Sequence, residues 1–175
     1  LWILAGDAQD GAEVAQDPDS LGGAVLRVTL DGDPAPGNPD FGAGGDPRTY
    51  TLGHRNPQGI AFTPDGEPLV AEHGPLNRDE VSALRPGANY GWNVARGGPG
   101  GVQYNAYGES EAFTPPILNT GADTTWAPSG STFYTGEAIP EWHNRLFVAG
   151  LRSQTLFCVT LDADGDGLDG GRRFD

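Results

Sequence analysis

The sequence contains no methionine and no lysine, and only one of its 175 residues is a cysteine. A single cysteine excludes an intrachain disulfide framework, and Cys158, inside the apolar run 156–159, is predicted to be a small buried residue. No apolar run approaches the roughly 20 residues that a membrane-spanning helix needs. Because methionine is absent and the chain starts within the apolar run Leu1–Ala5, we expect an internal piece of a longer protein, truncated at both ends.

Acidic residues outnumber basic ones by 24 to ten, every basic residue is an arginine, and the net charge at pH 7 is −14. A negative field of this size repels phosphate backbones, so nucleic acid is not an expected partner. Helical periodicity is scarce, whereas the sequence contains 28 glycines and 15 prolines. This composition is typical of short strands joined by many turns, and it predicts an all-β protein.

Short apolar runs rich in β-branched and aromatic residues predict the individual strands. Turn sequences bound these runs, as at 63–66, Thr-Pro-Asp-Gly, where proline presets φ and glycine accepts a positive φ. The predicted strands are residues 1–5, 23–30, 58–63, 68–73, 79–84, 130–135, 145–150 and 155–161.

An internal repeat organises these strands. Residues 25–33, Val-Leu-Arg-Val-Thr-Leu-Asp-Gly-Asp, recur as Leu-Phe-Cys-Val-Thr-Leu-Asp-Ala-Asp at 156–164, and a weaker copy covers 69–74 and 80–84. Each copy pairs an apolar strand and a polar loop with a second strand. Repeated sheet units that cannot bury both faces alone predict about three blades of a six-bladed β-propeller. The alternative, a β-sandwich, would not place polar loops after the same strand of each unit.

The polar loops of such repeats are the candidate functional site, because loops after equivalent strands meet at one mouth of a propeller. Arg55 and Arg152 lie in two of these loops, and guanidinium groups in an acidic chain favour an anionic ligand, with Asn56 adding an amide. The alternative is that Arg55 pairs with an acidic residue of the chain. His54 is predicted to be a structural hydrogen-bonding residue rather than a general base.

Two acidic patterns are candidates for calcium binding. Asp79 and Glu80, followed by Tyr90, could supply carboxylate and carbonyl oxygens, although a charged pair at the start of a solvated strand has the same appearance. Residues 162–167, Asp-Ala-Asp-Gly-Asp-Gly, match the first half of an EF-hand loop, but the twelfth position is Arg173. No flanking helices are predicted there, and a β-hairpin tip is the favoured interpretation.

Four motifs together carry a resemblance to a known family. They are Gly-His-Arg-Asn-Pro-Gln-Gly at 53–59, Glu-His-Gly-Pro at 72–75, Asp-Glu at 79–80 and Pro-Gly-Ala-Asn-Tyr-Gly-Trp at 86–92. In order and spacing the chain resembles the soluble quinoprotein sugar dehydrogenases of the glucose/sorbosone dehydrogenase family over all of residues 1–175. The resemblance implies one partial domain of a six-bladed propeller that uses pyrroloquinoline quinone (PQQ) and Ca²⁺.

The resemblance also implies roles for the residues at the matching positions. Arg55 and Asn56 would contact PQQ, with Arg55 near the quinone oxygens, and Arg152 would lie against a PQQ carboxylate. The backbone carbonyl groups of Gly74 and Pro75 would coordinate the Ca²⁺ that also binds PQQ.

Further implied roles concern catalysis and a second metal ion. Asp7 would orient the catalytic histidine, which is expected in a segment before Leu1, and two more PQQ-binding arginines are expected after Asp175. Glu80 and Tyr90 would hold a further, structural Ca²⁺.

The activity implied by the resemblance is oxidation of aldose sugars at C1 to lactones, with electrons passed to an external acceptor. A periplasmic or secreted location is expected, and residues 1–175 alone are expected to be inactive. Two alternatives remain open at this stage. A non-catalytic propeller of the same family would lack the full set of PQQ contacts, and a Ca²⁺-dependent lactonase would need Asn, Asp and Glu side chains converging on the metal.

Overall fold

The computed structural model describes residues 1–8, 12–92, 112–162 and 168–174. In these ranges the chain forms three antiparallel sheets with very little helix, which confirms the prediction of an all-β protein. The chain divides into two compact units, the first comprising Leu1–Pro57 and Arg85–Pro115 and the second comprising Gln58–Leu84 and Pro116–Asp175.

A three-stranded antiparallel meander forms the sheet of the first unit. Its middle strand is buried except at Arg27, whose guanidinium carbon lies 5.8 Å from the ring centre of Trp2 and 5.2 Å from that of Tyr50. These rings come from the two flanking strands, so the cation and both aromatic faces stabilise the pairing of all three strands. The strands are β1 (Trp2–Ala5), β2 (Ala24–Arg27) and β3 (Thr49–Leu52), and a single helical turn, α1 (Ala12–Ala15), precedes β2.

Two four-stranded antiparallel meanders form the second unit, and the strand order in each follows the chain order. The first sheet comprises β4 (Pro57–Phe62), β5 (Pro68–Glu72), β6 (Glu80–Ala83) and β7 (Leu118–Asn119). The second comprises β8 (Pro128–Tyr134), β9 (Arg145–Gly150), β10 (Thr155–Leu161) and β11 (Leu168–Phe174), with a 3₁₀ turn at Pro140–Trp142 between β8 and β9.

The two sheets of the second unit share one hydrophobic core. Side chains two positions apart point to the same face of a strand, and such pairs from β5, β9 and β10 supply most of the core. Burial of these aliphatic and aromatic groups provides the main driving force for packing the two sheets together. The buried core residues are Ala61, Leu69, Ala71, Val81, Leu146, Val148, Phe157 and Val159.

All eight strands predicted from the sequence are present, with bounds that differ by three residues at most. The strands that the apolar pattern did not predict are β3, β7 and β11, and each is the last strand of its sheet. β7 is only two residues long, and β11 contains Gly170 and Gly171, a residue type that is depleted in strands. β3 follows a long stretch rich in glycine, proline and aspartate and has only two large apolar residues.

The predicted repeat corresponds to the hairpins β1–β2, β5–β6 and β9–β10. In each hairpin the first strand ends opposite the start of the second, through the pairs Ala5↔Ala24, Glu72↔Glu80 and Gly150↔Thr155. The polar connection therefore lies at the same end of each sheet, which confirms that the chain contains three similar all-β units. The structure thereby accounts for the recurrence of polar residues after the same strand of each repeat.

Cys158 is buried on β10, as predicted. The EF-hand-like segment 162–167 connects β10 to its antiparallel partner β11, but residues 163–167 lie outside the described residues, so its hairpin tip stays a prediction. Within the described ranges, no helix has the length and apolar character required to cross a membrane.

A surface ion pair in the first unit leads to a prediction about pH. Arg48 Nη2 lies 2.6 Å from Asp46 Oδ2, and the hydrogen bond from the Arg48 side chain lowers the pKa of Asp46 below its ordinary value. A carboxyl group with a lowered folded-state pKa stabilises the protein above its unfolded pKa, and this contribution disappears as the pH falls through the folded pKa. We expect Asp46→Asn to destabilise the protein slightly at pH 7 and by less below about pH 4.

Urea unfolding of the wild type and of Asp46→Asn at pH 3, 4, 5 and 7 measures this difference. A gap between the two proteins that widens towards pH 3 would contradict the prediction.

Candidate functional site

A cavity of about 270 Å³ in the first unit brings together three of the predicted site residues. Its lining residues are Gly6, Asp7, Ala8, Arg55 and Asn56. Asp7 follows the end of β1, and Arg55 and Asn56 directly precede β4. The amide of Asp7 donates a hydrogen bond to the carbonyl oxygen of Arg55 over 2.8 Å, which joins the two segments. The structure therefore places an acidic residue, a basic residue and an amide residue around one cavity.

Small residues allow these segments to approach closely. A Cβ atom on Gly6 would lie 3.2 Å from both the Arg55 carbonyl oxygen and Asn56 Oδ1. Gly23 has φ of +63°, and a Cβ there would lie 2.5 Å from the Cα of Ala15. The amide of Gly23 donates to the Gly6 carbonyl over 3.1 Å, so this glycine anchors the segment that carries Asp7.

Trp92 connects Asp7 to Arg55. The guanidinium carbon of Arg55 lies 5.6 Å from the centre of the Trp92 ring, within the range of a cation–π interaction. The indole Nε1 of Trp92 donates a hydrogen bond of 2.7 Å to Asp7 Oδ2. Both partners are well shielded from water, since Trp92 is 4% exposed and Asp7 is 6% exposed. Sequence reasoning used Trp92 only as part of the Asn-Tyr-Gly-Trp motif and did not predict it as a site residue.

His54 and Tyr90 form the packed layer next to this site. The His54 ring stacks on the Tyr90 ring with centres 4.8 Å apart, and His54 Nε2 lies 2.9 Å from Thr51 Oγ1. Both residues are almost completely buried, and the Tyr90 hydroxyl accepts a hydrogen bond from the amide of Arg85. This environment fits the structural role that the sequence suggested for His54.

Glu80, the other residue predicted to bind the structural Ca²⁺ with Tyr90, lies in the second unit at the start of β6. It is 5% exposed, and its Oε1 accepts a hydrogen bond of 3.0 Å from Asn119 Nδ2. No group of three or more His, Cys, Asp and Glu side chains suited to a metal ion occurs among the described residues. The pairing of Glu80 with Tyr90 around Ca²⁺ stays a prediction.

Gly74 and Pro75 lie in the connection between β5 and β6, in the second unit. A Cβ atom on Gly74 would lie 1.9 Å from the carbonyl oxygen of Asn77 and 2.7 Å from that of Arg78, so only glycine fits this tight loop. In the part of the chain that the structure describes, the Gly74 and Pro75 carbonyl oxygens accept no main-chain hydrogen bond. Backbone carbonyl groups of this kind are suitable ligands for Ca²⁺.

Asp79 holds this loop in place and is 1% exposed. Its Oδ1 accepts a hydrogen bond from the amide of Gly74 over 3.0 Å. Its Oδ2 accepts three more, from Thr125 Oγ1 and from the amides of Trp126 and Ala127, at 2.5 to 2.9 Å. Four donors in a buried environment occupy the lone pairs of this carboxylate, so Asp79 connects two loops rather than offering a ligand to a metal ion.

Arg152 lies in the connection between β9 and β10. Residues 125–127, which donate hydrogen bonds to Asp79, also bond to this connection. The amides of Arg152 and Ser153 donate to the carbonyl oxygen of Trp126 over 3.2 and 3.3 Å. The Trp126 ring stacks on Phe157, with ring centres 3.6 Å apart. Residues 125–127 thus contact both the loop that carries Gly74 and Pro75 and the loop that carries Arg152.

The amino-acid sequence of this chain is similar to known proteins of one family. A sequence profile of the family described as Glucose / Sorbosone dehydrogenase matches residues 1–173. The aldose sugar dehydrogenase YliI of Escherichia coli strain K12 is 31% identical over 177 aligned residues, which include 97% of this chain and 47% of that protein. The quinoprotein glucose dehydrogenase B of Acinetobacter calcoaceticus is 39% identical over 137 residues, or 78% of this chain and 27% of that protein.

A solved structure of a sugar dehydrogenase also resembles this chain. The PQQ-bound form of aldose sugar dehydrogenase from Streptomyces coelicolor aligns with a TM-score of 0.77 at 33% identity, covering 99% of this chain and 45% of that one. The chain spans about half the length, or less, of the curated relatives it matches. Because the family profile covers nearly every residue, the chain belongs to the glucose/sorbosone dehydrogenase family.

Proposed function

We propose that these residues form part of a quinoprotein sugar dehydrogenase that oxidises aldoses at C1 to lactones with PQQ and Ca²⁺. In this proposal, the three sheets are consecutive blades of a six-bladed β-propeller. The proposal is supported by relatives named as an aldose sugar dehydrogenase and a quinoprotein glucose dehydrogenase, and by a PQQ-bound relative. It also places the protein in the periplasm or outside the cell, with an external electron acceptor.

The observation that carries the proposal is the position of Arg55. Arg55 and its neighbour Asn56 both line the cavity in the first unit, and the Arg55 guanidinium carbon lies over the Trp92 ring. A planar cation with several N–H donors, next to an amide, suits the oxygens of a planar, negatively charged quinone. When bound, PQQ would supply the two-electron acceptor that amino acid side chains lack.

In the proposed reaction, a base would remove the proton of the C1 hydroxyl group and the hydride of C1 would pass to the two-electron acceptor, so that the sugar becomes a lactone. The resemblance assigns the base to a histidine before Leu1, and Asp7 would orient it. Arg55 would stabilise the negative charge that grows on the acceptor oxygen, which is the electrostatic term that dominates many enzyme reactions.

The second unit would contribute the metal ligands and a further cation. The Gly74 and Pro75 carbonyl groups, in a loop whose Gly74 amide bonds to Asp79, have the chemistry of Ca²⁺ ligands. Arg152, in the connection between β9 and β10 of the same unit, would pair with a cofactor carboxylate.

The proposal predicts that the full-length natural protein gains activity only when PQQ and Ca²⁺ are added together. The test is equilibrium dialysis of PQQ against the apoprotein, followed by an assay of dye reduction with a panel of aldoses. We expect saturable, Ca²⁺-dependent binding of PQQ and sugar-dependent dye reduction. A full-length protein that binds no PQQ would end this proposal, and lactone hydrolysis with Ca²⁺ alone would favour the lactonase alternative.

A further inference from the structure

The arrangement of Asp7, Trp92 and Arg55 has a consequence beyond the residues that the resemblance assigns. We propose that Trp92 is a positioning residue, which holds the Arg55 guanidinium group in the orientation that the anionic cofactor requires, and that Asp7 anchors Trp92. This inference rests on the function proposed above, because it concerns how the cavity presents its cation.

Trp92 is held from three directions, so its ring is a rigid platform. Its indole N–H donates to Asp7 Oδ2, its main-chain amide donates to the Gly53 carbonyl over 2.9 Å, and its carbonyl accepts a hydrogen bond from Gln16 Nε2. Gln16 in turn exchanges two hydrogen bonds with Asn89. Because the backbone on one side and the indole edge on the other are both fixed, the ring face has one orientation.

Arg55 needs such a platform. Arginine has a long side chain with many rotamers, and ordering it on ligand binding carries an entropy cost. A ring face that already holds the guanidinium group reduces this cost, because the cation is oriented before the ligand arrives. The contact is made through the face of the Trp92 ring, which attracts the cation without forming a hydrogen bond to it.

The carboxylate of Asp7 adds an electrostatic component. A hydrogen bond from the indole N–H to a carboxylate shifts electron density towards the ring, and hydrogen-bonded groups in a shielded environment polarise one another. The more electron-rich ring attracts the guanidinium group more strongly. Asp7 would therefore act on Arg55 through Trp92, in addition to any role in orienting a base.

The experiment compares three variants of the full-length protein: Trp92→Leu, which removes the ring; Trp92→Phe, which keeps an aromatic face but removes the N–H donor; and Arg55→Gln. PQQ affinity of the apoprotein is measured by equilibrium dialysis with Ca²⁺ present. A cation–π contact made by a half-buried arginine predicts a loss of about two- to fivefold in PQQ affinity for Trp92→Leu and a smaller loss for Trp92→Phe. The effects of Trp92→Leu and Arg55→Gln should not add, because both remove the same oriented cation.

Trp2→Leu is the matched control. Trp2 also lies under an arginine in the first unit, with Arg27 at 5.8 Å, but it is not among the residues that line the cavity. We expect this variant to lose stability in urea and to keep the wild-type affinity for PQQ. A merely structural role for Trp92 would make the two tryptophan variants behave alike.

A second readout does not depend on PQQ. Removal of the Arg55 cation from the Trp92 ring should change the tryptophan fluorescence of the apoprotein, and this change should disappear in a Trp92→Phe background.

If Trp92→Leu does not fold, the double-mutant cycle of Trp92→Phe with Arg55→Gln tests in the same way whether the two losses of PQQ affinity add. Additive losses of affinity, or wild-type affinity in folded Trp92→Leu, would overturn the inference. Absence of PQQ binding by the wild type would instead refute the proposed function, and the fluorescence comparison would still test the contact.

Discussion

Arg55→Gln is expected to lower the rate of sugar oxidation by the PQQ-reconstituted, full-length protein by about 100- to 1000-fold. Glutamine keeps part of the length and polarity of the side chain but removes the positive charge next to the acceptor oxygen. The largest effect should appear in kcat, because the charge on that oxygen grows during hydride transfer. Single-turnover measurements with saturating sugar would separate this chemical step from substrate binding.

The same substitution should change stability very little. Arg55 is only partly buried, and loss of its contact with the Trp92 ring costs about 0.5 to 1 kcal/mol. Arg55→Lys keeps the charge but loses the planar set of N–H donors, so its rate should lie between those of the wild type and Arg55→Gln. Arg48→Gln is a suitable control, because Arg48 forms a surface ion pair with Asp46 and does not line the cavity. A wild-type rate for folded, PQQ-loaded Arg55→Gln would refute the role of Arg55.

Asp79→Ala is expected to give the largest loss of stability, about 3 to 5 kcal/mol in the free energy of unfolding. The substitution removes the acceptor of four hydrogen bonds at a site that is 1% exposed. Three of these donors are main-chain amides, and a buried amide without its acceptor incurs the full cost of desolvation. Urea unfolding of the full-length protein, with and without Ca²⁺, measures the effect.

The consequence for function follows from the two loops that Asp79 connects. When the Gly74 amide and the segment 125–127 lose their common acceptor, the Gly74 and Pro75 carbonyl groups lose their fixed orientation. We therefore expect Asp79→Ala to weaken Ca²⁺ binding as well. Asp79→Asn keeps the shape and one acceptor oxygen, and should be intermediate in both measurements.

Asp46→Asn provides the matched comparison for Asp79, because it removes a carboxylate from an ion pair at the surface. Exposed pairs of this kind contribute about 0 to 1 kcal/mol. If Asp79→Ala were no more destabilising than Asp46→Asn, the four hydrogen bonds of Asp79 would not have the importance that the structure indicates.

Asp79 and Arg55 differ in how well their roles can be predicted from the sequence. Asp7, Arg55 and Asn56 were predicted as site residues, and the structure brings them to one cavity. They were predictable because polar residues after or before apolar strands belong to connections, and connections at the same end of a sheet can meet. Asp79 was a candidate for calcium binding by its neighbourhood to Glu80 and Pro75, yet its carboxylate is occupied by donors that lie 46 to 48 residues further along the chain.

Local pattern determined the fold class. The short apolar runs, the turn sequences and the repeat of 25–33 at 156–164 predicted eight strands and three similar units, because strands bury β-branched and aromatic side chains whereas turns require glycine, proline and aspartate. The motifs around His54 and Asn89 determined the family.

Tertiary structure decided which side chains work together. The indole of Trp92 meets the carboxylate of Asp7 across 85 residues of sequence, and Asp79 joins two loops that no local pattern relates. Such contacts depend on strand register and on the path of each connection, and a register shift of one residue would direct these side chains to the opposite face. Periodicity reports whether a residue is buried, whereas the identity of its partner is set only when the strands have paired.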